Sequence, residues 1–196
     1  MRILEQIAAY APFNEQERVD KAVLLRLLND DGQELFTREN PSAHMTASAW
    51  VVNAARTKAL MVYHNIYRSW SWLGGHADGE QDLLGVALRE VREESGITHA
   101  HPVTKEIFSL EILTVDGHVK RGAYVSSHLH LNVTYLLEAD ETEALTVCEQ
   151  ENSGVKWFLL DEAVAASTEP WFQSHIYGKL NEKLKCGFPA AGSAGN

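Results

Sequence analysis

The most constraining feature of this chain is the segment Gly75–Ile97, where a glycine-rich loop leads into an acidic amphipathic helix. The pattern predicts a helix over Asp82–Ser95, and Gly96 is placed to end it. Apolar residues recur on one face of that helix, at Leu84, Ala87, Leu88 and Val91. A helix with a single apolar face packs by that face against a core, so the segment predicts a globular fold.

The same helix carries an unusual concentration of negative charge. Glu90, Glu93 and Glu94 stand at i, i+3 and i+4, which places the three carboxylates in one cluster beside the apolar face. Like charges at this spacing destabilise a helix by about a few tenths of a kcal/mol each. Arg89 is placed to pair with Glu93, and the remaining carboxylates favour a hard divalent cation such as Mg²⁺. The alternative is a solvated acidic face.

The spacing of these residues resembles the Nudix box, G-x5-E-x7-R-E-U-x-E-E-x-G-U, where U is aliphatic. Eight of its nine defined positions are filled here, by Gly75, Arg89, Glu90, Val91, Glu93, Glu94, Gly96 and Ile97. The first glutamate of the pattern is replaced by Gln81, directly after Glu80. The resemblance to the Nudix family extends beyond the box, over roughly Met45–Leu184.

The resemblance implies an α/β fold, a Nudix-type α/β/α sandwich with a mixed sheet between helices. It also implies an enzyme, a Nudix pyrophosphohydrolase that uses Mg²⁺ or Mn²⁺. The expected substrate is a small nucleoside diphosphate linked to another moiety, cleaved at its P–O–P bond. Such metals neutralise the charge of the diphosphate, position a water molecule and lower its pKa.

Site residues follow from the resemblance by position. Glu93 and Glu94 are expected to be metal ligands, Glu90 a ligand or the base that activates water, and Arg89 the residue that orients the glutamates. The backbone carbonyl of Gly74 is a further expected ligand. A neutral amide at Gln81 lacks the charge of a carboxylate, so one metal site is expected to be weaker unless Glu80 substitutes for it.

Candidate substrate-binding residues lie outside the box. Arg68 is a candidate phosphate contact, and Trp70 a candidate for stacking on a base or for simple packing. His128 and His130 share one face of a predicted strand; that face is a polar outer surface, part of the substrate cleft, or a zinc-binding pair. Glu151, in a polar loop, is a candidate for an additional catalytic base.

Three regions are predicted along the chain: an N-terminal helical extension over residues 1–42 packed on the main domain, a Nudix domain over 43–188, and a flexible tail over 189–196. The second N-terminal helix is expected to open with a capping box at Asn14 and Glu17. Its apolar stripe is expected to contain Val19, Val23 and Leu27. The last strand is expected near Trp157–Leu160.

Composition limits the partners. The chain has 196 residues, and 17 basic against 27 acidic residues give a formal net charge of 17 − 27 = −10. This charge disfavours binding to a nucleic-acid polymer. No stretch is long and apolar enough to predict a membrane span. The two cysteines form no CxxC pair, which favours reduced thiols and a cytoplasmic location.

Two other functions remain open from the sequence. One is a Nudix-fold sensor or adaptor that binds a nucleotide without turnover, which the change at Gln81 would favour. The other resembles isopentenyl-diphosphate isomerase; that family needs a cysteine before its box, whereas Cys148 and Cys186 both follow it. By analogy with relatives, a homodimer also remains open.

Overall fold

The computed structural model describes residues 2–30, 32–120 and 122–188. The predicted flexible tail, 189–196, lies outside these residues. Two compact units are formed. The first consists of Met1–Ser48, Gly74–Ala87 and Lys105–Tyr135. The second consists of Ala49–Leu73, Leu88–Thr104 and Leu136–Asn196.

The helices follow the order expected from the sequence. Within the described ranges the α-helices are α1 (Ile3–Ala9), α2 (Glu15–Asp30), α3 (Leu83–Ser95), α4 (Leu160–Ala166) and α5 (Gly178–Gly187). A 3₁₀ segment follows α2 at Gly32–Phe36, and a π-helical turn precedes α5 at Phe172–Tyr177. Among the residues described, no helix combines the length and the apolar character that a membrane crossing requires.

The strands are β1 (Ala43–Val52), β2 (Lys58–His64), β3 (Ser69–Ser71), β4 (Leu73–His76), β5 (His101–Pro102), β6 (Ser109–Val115), β7 (His118–Lys120), β8 (Ala123–Val125), β9 (His128–Glu138) and β10 (Asn152–Leu159). The main sheet has the order β10-β2-β1-β9-β5, with β3, β4 and β6 pairing to β2, β1 and β9; β7 and β8 form a separate hairpin. The predicted fold class, a mixed sheet with flanking and N-terminal helices, is confirmed. The last strand is longer than expected, because β10 pairs with β2 from Asn152↔His64 to Leu159↔Lys58.

In the first unit, α2 packs against β6 through a buried carboxylate. Glu17 is fully buried, and its Oε1 accepts a hydrogen bond of 2.8 Å from the Ser109 hydroxyl. Its Oε2 accepts bonds from the Tyr10 hydroxyl at 2.6 Å and from the Phe13 amide at 2.7 Å. Because a buried carboxylate is tolerated only when its oxygens are hydrogen-bonded, this network joins the N-terminal helices to the sheet.

Glu17 also explains why two expectations for α2 fail in part. Asn14 caps the helix as expected, since its Oδ1 accepts a bond of 2.9 Å from the Glu17 amide. The Glu17 side chain, however, bonds to Phe13 and Tyr10 instead of completing a capping box. The predicted stripe is wrong: Val19 is 45% exposed, and the buried apolar residues are Leu24 and Leu28. Burying Glu17 turns the helix so that Val19 faces solvent.

A second buried carboxylate continues this network along β6 and β9. Glu111 is fully buried, and its Oε2 accepts bonds of 3.0 Å from Asn132 and 2.9 Å from Thr134. The Oδ1 atom of Asn132 in turn accepts bonds from the hydroxyls of Thr46 and Ser48 on β1. Alternating residues of β9 therefore form a buried polar layer in the first unit.

The second unit has an aromatic core. Trp50 on β1 stacks on Tyr177 with ring centroids 5.6 Å apart and planes 15° apart. Trp72 meets the same tyrosine edge-on at 5.7 Å, and the tyrosine hydroxyl accepts a bond from the Trp72 amide. Burial raises the pKa of Tyr177. In the same unit α4 packs on β2 and β10.

Removing the Tyr10 hydroxyl should weaken the attachment of the N-terminal helices. Tyr10→Phe deletes a donor to Glu17 and is expected to lower the free energy of unfolding by about 1–3 kcal/mol, because a buried carboxylate loses a partner. Urea denaturation measures the effect. Tyr124→Phe, at a tyrosine that is 73% exposed, is the matched control. Equal stability of the two variants would contradict this account of the network.

Candidate active site

The orientation of α3 decides how its glutamates are used. The residues on its buried face are Leu83, Val86, Ala87 and Val91. Leu84 and Leu88, which the sequence placed on the apolar stripe, are only half-buried. The buried face is thus rotated by about one residue from the prediction, and this rotation brings Glu94, three residues after Val91, to the buried side.

The three glutamates lie in different environments. The side chain of Glu93 is 60% exposed and that of Glu90 is 14% exposed. Glu94 retains only 4% of its accessible surface. The cluster therefore runs from solvent at Glu93 to the interior at Glu94, so it is not the uniformly solvated acidic face considered as an alternative.

Arg89 is close to two of the carboxylates. Its guanidinium lies 3.1 Å from an oxygen of Glu90 and 4.0 Å from an oxygen of Glu93. The Glu90 contact is between sequence neighbours and was not expected, whereas the Glu93 contact is the i, i+4 pair read from the sequence. This position is suited to orienting both side chains.

The electrostatic environment of Glu90 favours binding of a cation. Burial raises the pKa of its carboxyl above the usual range, and the negative charges of Glu93 and Glu151 raise it further, while Arg89 opposes the shift. The charge of Glu151, a residue from a different part of the chain, therefore contributes to raising the pKa of Glu90. The sequence suggested Glu151 only from its polar loop, and the structure brings its charge into the field of the helix.

Asn152 is a site residue that the sequence did not indicate. Its amide nitrogen donates a bond of 3.0 Å to Oε1 of Glu94, and the residue is 1% exposed. Its Oδ1 atom is buried without a hydrogen-bond partner among the described residues. The two residues are 58 positions apart, and no local pattern links a strand-initial asparagine to a helix glutamate.

The donor set fits a hard divalent cation. Glu90, Glu93 and Glu94 offer carboxylate oxygens from the i, i+3 and i+4 positions of one helix, and such oxygens are the ligands that Mg²⁺ and Mn²⁺ prefer. Burial raises the pKa of Glu90, with smaller contributions from the charges of Glu93 and Glu151, and a bound cation would oppose this shift.

Gly74 lies in the first unit, where its lack of a side chain is required. A Cβ atom at this position would lie 2.5 Å from the Ala47 carbonyl oxygen and 2.7 Å from the Ser48 Cα. Both are backbone atoms of β1 that cannot turn away. The glycine therefore permits close approach of β4 to β1.

The loop between β4 and α3 uses Gln81 and Glu80 locally. Gln81 donates from Nε2 to the side-chain oxygen of Gln33 at 2.5 Å. Glu80 accepts bonds from the amides of Gln81 and Asp82, at 2.7 and 2.9 Å, just before α3 begins. The Glu80 carboxylate is thus engaged at the helix start, which argues against a direct substitution for the glutamate missing at Gln81.

The substrate-binding candidates of the second unit lie in two kinds of surroundings. Trp70 meets Tyr63 and Phe158 edge-on, at 5.5 and 4.9 Å between centroids, and packs against Gly154. This is the packing alternative considered for it. Arg68 is exposed in the turn before β3, with a φ of 51°.

His128 and His130 share one face of β9, as expected, but that face is not a solvent-exposed one. His128 is 8% exposed, and its Nε2 lies 3.2 Å from Nε2 of His130. Two further histidines of the first unit, His44 and His76, pack against His130 with centroids 5.1 and 4.8 Å away. The sequence did not indicate this group, because its members come from three separate strands.

Comparison with known proteins identifies the family and the fold. The family model of the NUDIX domain matches residues 42–180. The fold is similar to that of a NUDIX-family hydrolase from Clostridium perfringens, with 20% identity, a TM-score of 0.52 and coverage of 72% of this chain and 96% of that one. It is also similar to that of a Nudix hydrolase from M. smegmatis, with 16% identity, a TM-score of 0.54 and coverage of 76% and 89%. No curated protein sequence matches the chain. The predicted enzyme class, a Nudix pyrophosphohydrolase, is confirmed at the level of the family.

Adding a methyl group at Gly74 should disrupt the first unit. Gly74→Ala is expected to lower the free energy of unfolding by about 1–3 kcal/mol, because the new Cβ overlaps backbone atoms of β1. Denaturant titration followed by circular dichroism measures the loss. Gly187→Ala, where a Cβ meets nothing within 4 Å, is the control and should change stability little. A stable Gly74→Ala variant would contradict the close approach.

Loss of the Asn152 amide should leave the Glu94 carboxylate buried without this donor. Asn152→Ala is expected to cost about 1–3 kcal/mol of stability, measured by urea unfolding in the presence of a chelator. Asn65→Ala, at an exposed asparagine, serves as the control.

A double-mutant cycle isolates the Asn152 interaction. If the amide stabilises an ionised Glu94, Asn152→Ala will cost less in a Glu94→Gln background than in the wild type. Strictly additive effects of the two substitutions would refute the interaction.

Proposed function

Because the chain belongs to the Nudix family, we propose that it is a divalent-metal-dependent hydrolase. The proposed substrate is a small nucleoside diphosphate linked to another moiety, and the proposed reaction cleaves its P–O–P bond. The observation that carries the proposal is the graded carboxylate cluster on α3, in which Glu93 is exposed, Glu90 is largely buried and Glu94 is held by Asn152.

Glu93 and Glu94 are the proposed ligands of Mg²⁺ or Mn²⁺, Glu90 is either a further ligand or the base that activates water, and the family resemblance adds the carbonyl of Gly74. When bound, such a cation neutralises negative charge on a diphosphate and makes a water molecule more acidic. Asn152 holds Glu94 in one orientation, and Arg89 restrains Glu90 and Glu93. These contacts fix the ligand geometry before any substrate binds.

Glu90 and Glu151 are the proposed proton acceptors. A general base works best when its pKa approaches the operating pH, and the pKa of Glu90 is raised by its burial and by the charges of Glu93 and Glu151. In this proposal one of the two carboxylates takes a proton from the attacking water. Arg68 is the proposed phosphate contact, since its side chain is exposed in a turn of the same unit.

We also propose a cellular compartment for the enzyme, from the state of its cysteines. Both cysteines are free, with Cys148 half-buried and Cys186 exposed. Free thiols of this kind suit a reducing environment, so we place the enzyme in the cytoplasm.

A nucleotide-binding protein without turnover is the second candidate, and one observation favours it. The side chain of Gln81, which replaces a glutamate of the box, bonds to Gln33 instead of offering a carboxylate. In this second reading the cluster on α3 binds a cation and a nucleotide, and no hydrolysis follows.

Hydrolysis across a panel of diphosphates separates the two candidates. The panel contains ADP-ribose, dinucleoside polyphosphates, nucleoside triphosphates, nucleotide sugars and coenzyme A, each with Mg²⁺, with Mn²⁺ and with a chelator. Glu93→Gln and Glu94→Gln are expected to lower kcat at least about 100-fold on any compound that the wild type cleaves, because residues that merely support a metal site already contribute 10–100-fold.

Glu162→Gln is the matched control. Glu162 is exposed on α4, and its replacement should leave turnover unchanged. Turnover that persists with the chelator, or that survives in Glu94→Gln, would overturn the metal-dependent mechanism. Nucleotide binding without turnover on any compound would establish the second candidate.

A further inference from the structure

Four imidazoles meet inside the first unit, away from the carboxylates of α3 in the sequence. His44 lies on β1, His76 on β4, and His128 and His130 on β9. The ring centroids of His44, His76 and His130 are separated by 4.8–5.1 Å. One nitrogen from each of these three rings lies within 4.8 Å of the others. Three strands thus direct nitrogen ligands to a common point.

In two of these rings, a hydrogen bond indicates which of the two nitrogens is protonated and which carries the lone pair. The Nδ1 atom of His128 lies 2.8 Å from the Ser126 carbonyl oxygen, and that of His44 lies 3.4 Å from the Asn40 carbonyl oxygen. A carbonyl oxygen only accepts, so Nδ1 is the donor in both rings and Nε2 keeps its lone pair. Metal-binding histidines are oriented by such a bond from the second ring nitrogen.

The lone pair of His44 is left without a partner. His44 is 6% exposed, and its Nε2 atom is buried with no hydrogen-bond partner among the described residues. A buried nitrogen acceptor without a partner is unfavourable, and native proteins seldom keep one without a reason. A metal ion at the common point would supply the missing partner.

The distance between the Nε2 atoms of His128 and His130 is close to the separation of two ligands in a tetrahedral metal site. Their Nε2 atoms are 3.2 Å apart. For Zn–N bonds of about 2.0–2.1 Å, the edge of a ligand tetrahedron is about 3.3–3.4 Å. The ligand nitrogens of His44, His76 and His130 lie within 4.8 Å of one another, so binding of an ion would draw these three rings closer together.

Two of the four rings lie in surroundings that disfavour the charged imidazolium form. Burial lowers the pKa of His130 to about 2, and the neighbouring His76, His44 and His128 lower it further. Burial also lowers the pKa of His44. Neutral imidazole is the form that coordinates a metal.

We propose that His44, His76 and His130 bind one divalent transition-metal ion of the zinc type, with His128 as the fourth nitrogen ligand. Imidazole nitrogens favour Zn²⁺, Co²⁺ or Ni²⁺ over Mg²⁺, whereas carboxylates favour Mg²⁺. This site is separate in chemistry from the glutamate cluster and does not depend on the proposed hydrolase activity. His128 also lines a surface pocket together with Ser42, Asp116 and Ser127.

Zinc titration of the full chain tests the proposal. The protein is freed of any purification tag, stripped with a chelator, and titrated calorimetrically in a buffer with millimolar Mg²⁺ to occupy the carboxylate site. The wild type is expected to bind one equivalent of Zn²⁺. His76→Gln and His130→Gln, both at half-buried positions, should each weaken binding at least about 10-fold.

Two controls separate this site from others. His99→Gln, at an exposed histidine bonded to Glu143, should bind zinc like the wild type. Glu93→Gln should also retain zinc binding. Thermal unfolding of each variant identifies any that fail to fold, and Co²⁺ binding followed by visible absorption reports four-coordinate nitrogen ligation in the wild type.

A measurement on the wild type alone makes the test independent of variant stability. Imidazole ¹⁵N spectra recorded with and without Zn²⁺ should show a shift of the Nε2 resonances of His44 and His128. Absence of saturable zinc binding, equal binding by His76→Gln and wild type, or loss of binding in Glu93→Gln would each overturn the proposal.

Discussion

The free-energy cost of burying carboxylates is the constraint on which the rest of this structure depends. Glu94 is nearly inaccessible and is held by the Asn152 amide, while Glu90 is largely buried and its pKa is raised by that burial. Negative charges held this close are tolerated when hydrogen bonds or a cation offset their repulsion. In the proposed hydrolase, a divalent ion would offset the repulsion among these carboxylates.

The same constraint attaches the N-terminal helices. Glu17 and Glu111 are fully buried and are surrounded by hydroxyl and amide donors from the connection between α1 and α2, from β6 and from β9. Ser109 stands between them, since its hydroxyl lies 2.8 Å from Glu17 and 2.5 Å from Glu111. One hydroxyl proton is given to one acceptor at a time, so the two carboxyl groups are coupled through this serine. The helices and the sheet in the first unit are consequently parts of one polar network.

The carboxylates and the imidazoles of the two proposed metal sites come from different segments of the chain. Carboxylates gather on the part of α3 that belongs to the second unit, and imidazoles gather on β1, β4 and β9 in the first. Hard cations prefer the former and borderline transition metals the latter, so the two proposed sites would select different metals. In both proposals the type of ligand residue, more than the shape of the cluster, determines which metal is preferred.

The sequence by itself determined the family, the helix that carries the glutamates, the Arg89–Glu93 pair and the cap at Asn14, because each depends on spacing within a few residues. The predicted buried faces of α2 and α3 were wrong by small rotations. Glu17 and Glu94 are buried because they bond to donors far away in the sequence, and the local spacing of apolar residues contains no information about those bonds. The partnership of Glu94 with Asn152, the field of Glu151 on Glu90 and the grouping of four histidines were decided only by tertiary structure. Strand pairing groups the histidines, and packing of the helix α3 brings its glutamates to Asn152 and Glu151; no local pattern records either arrangement.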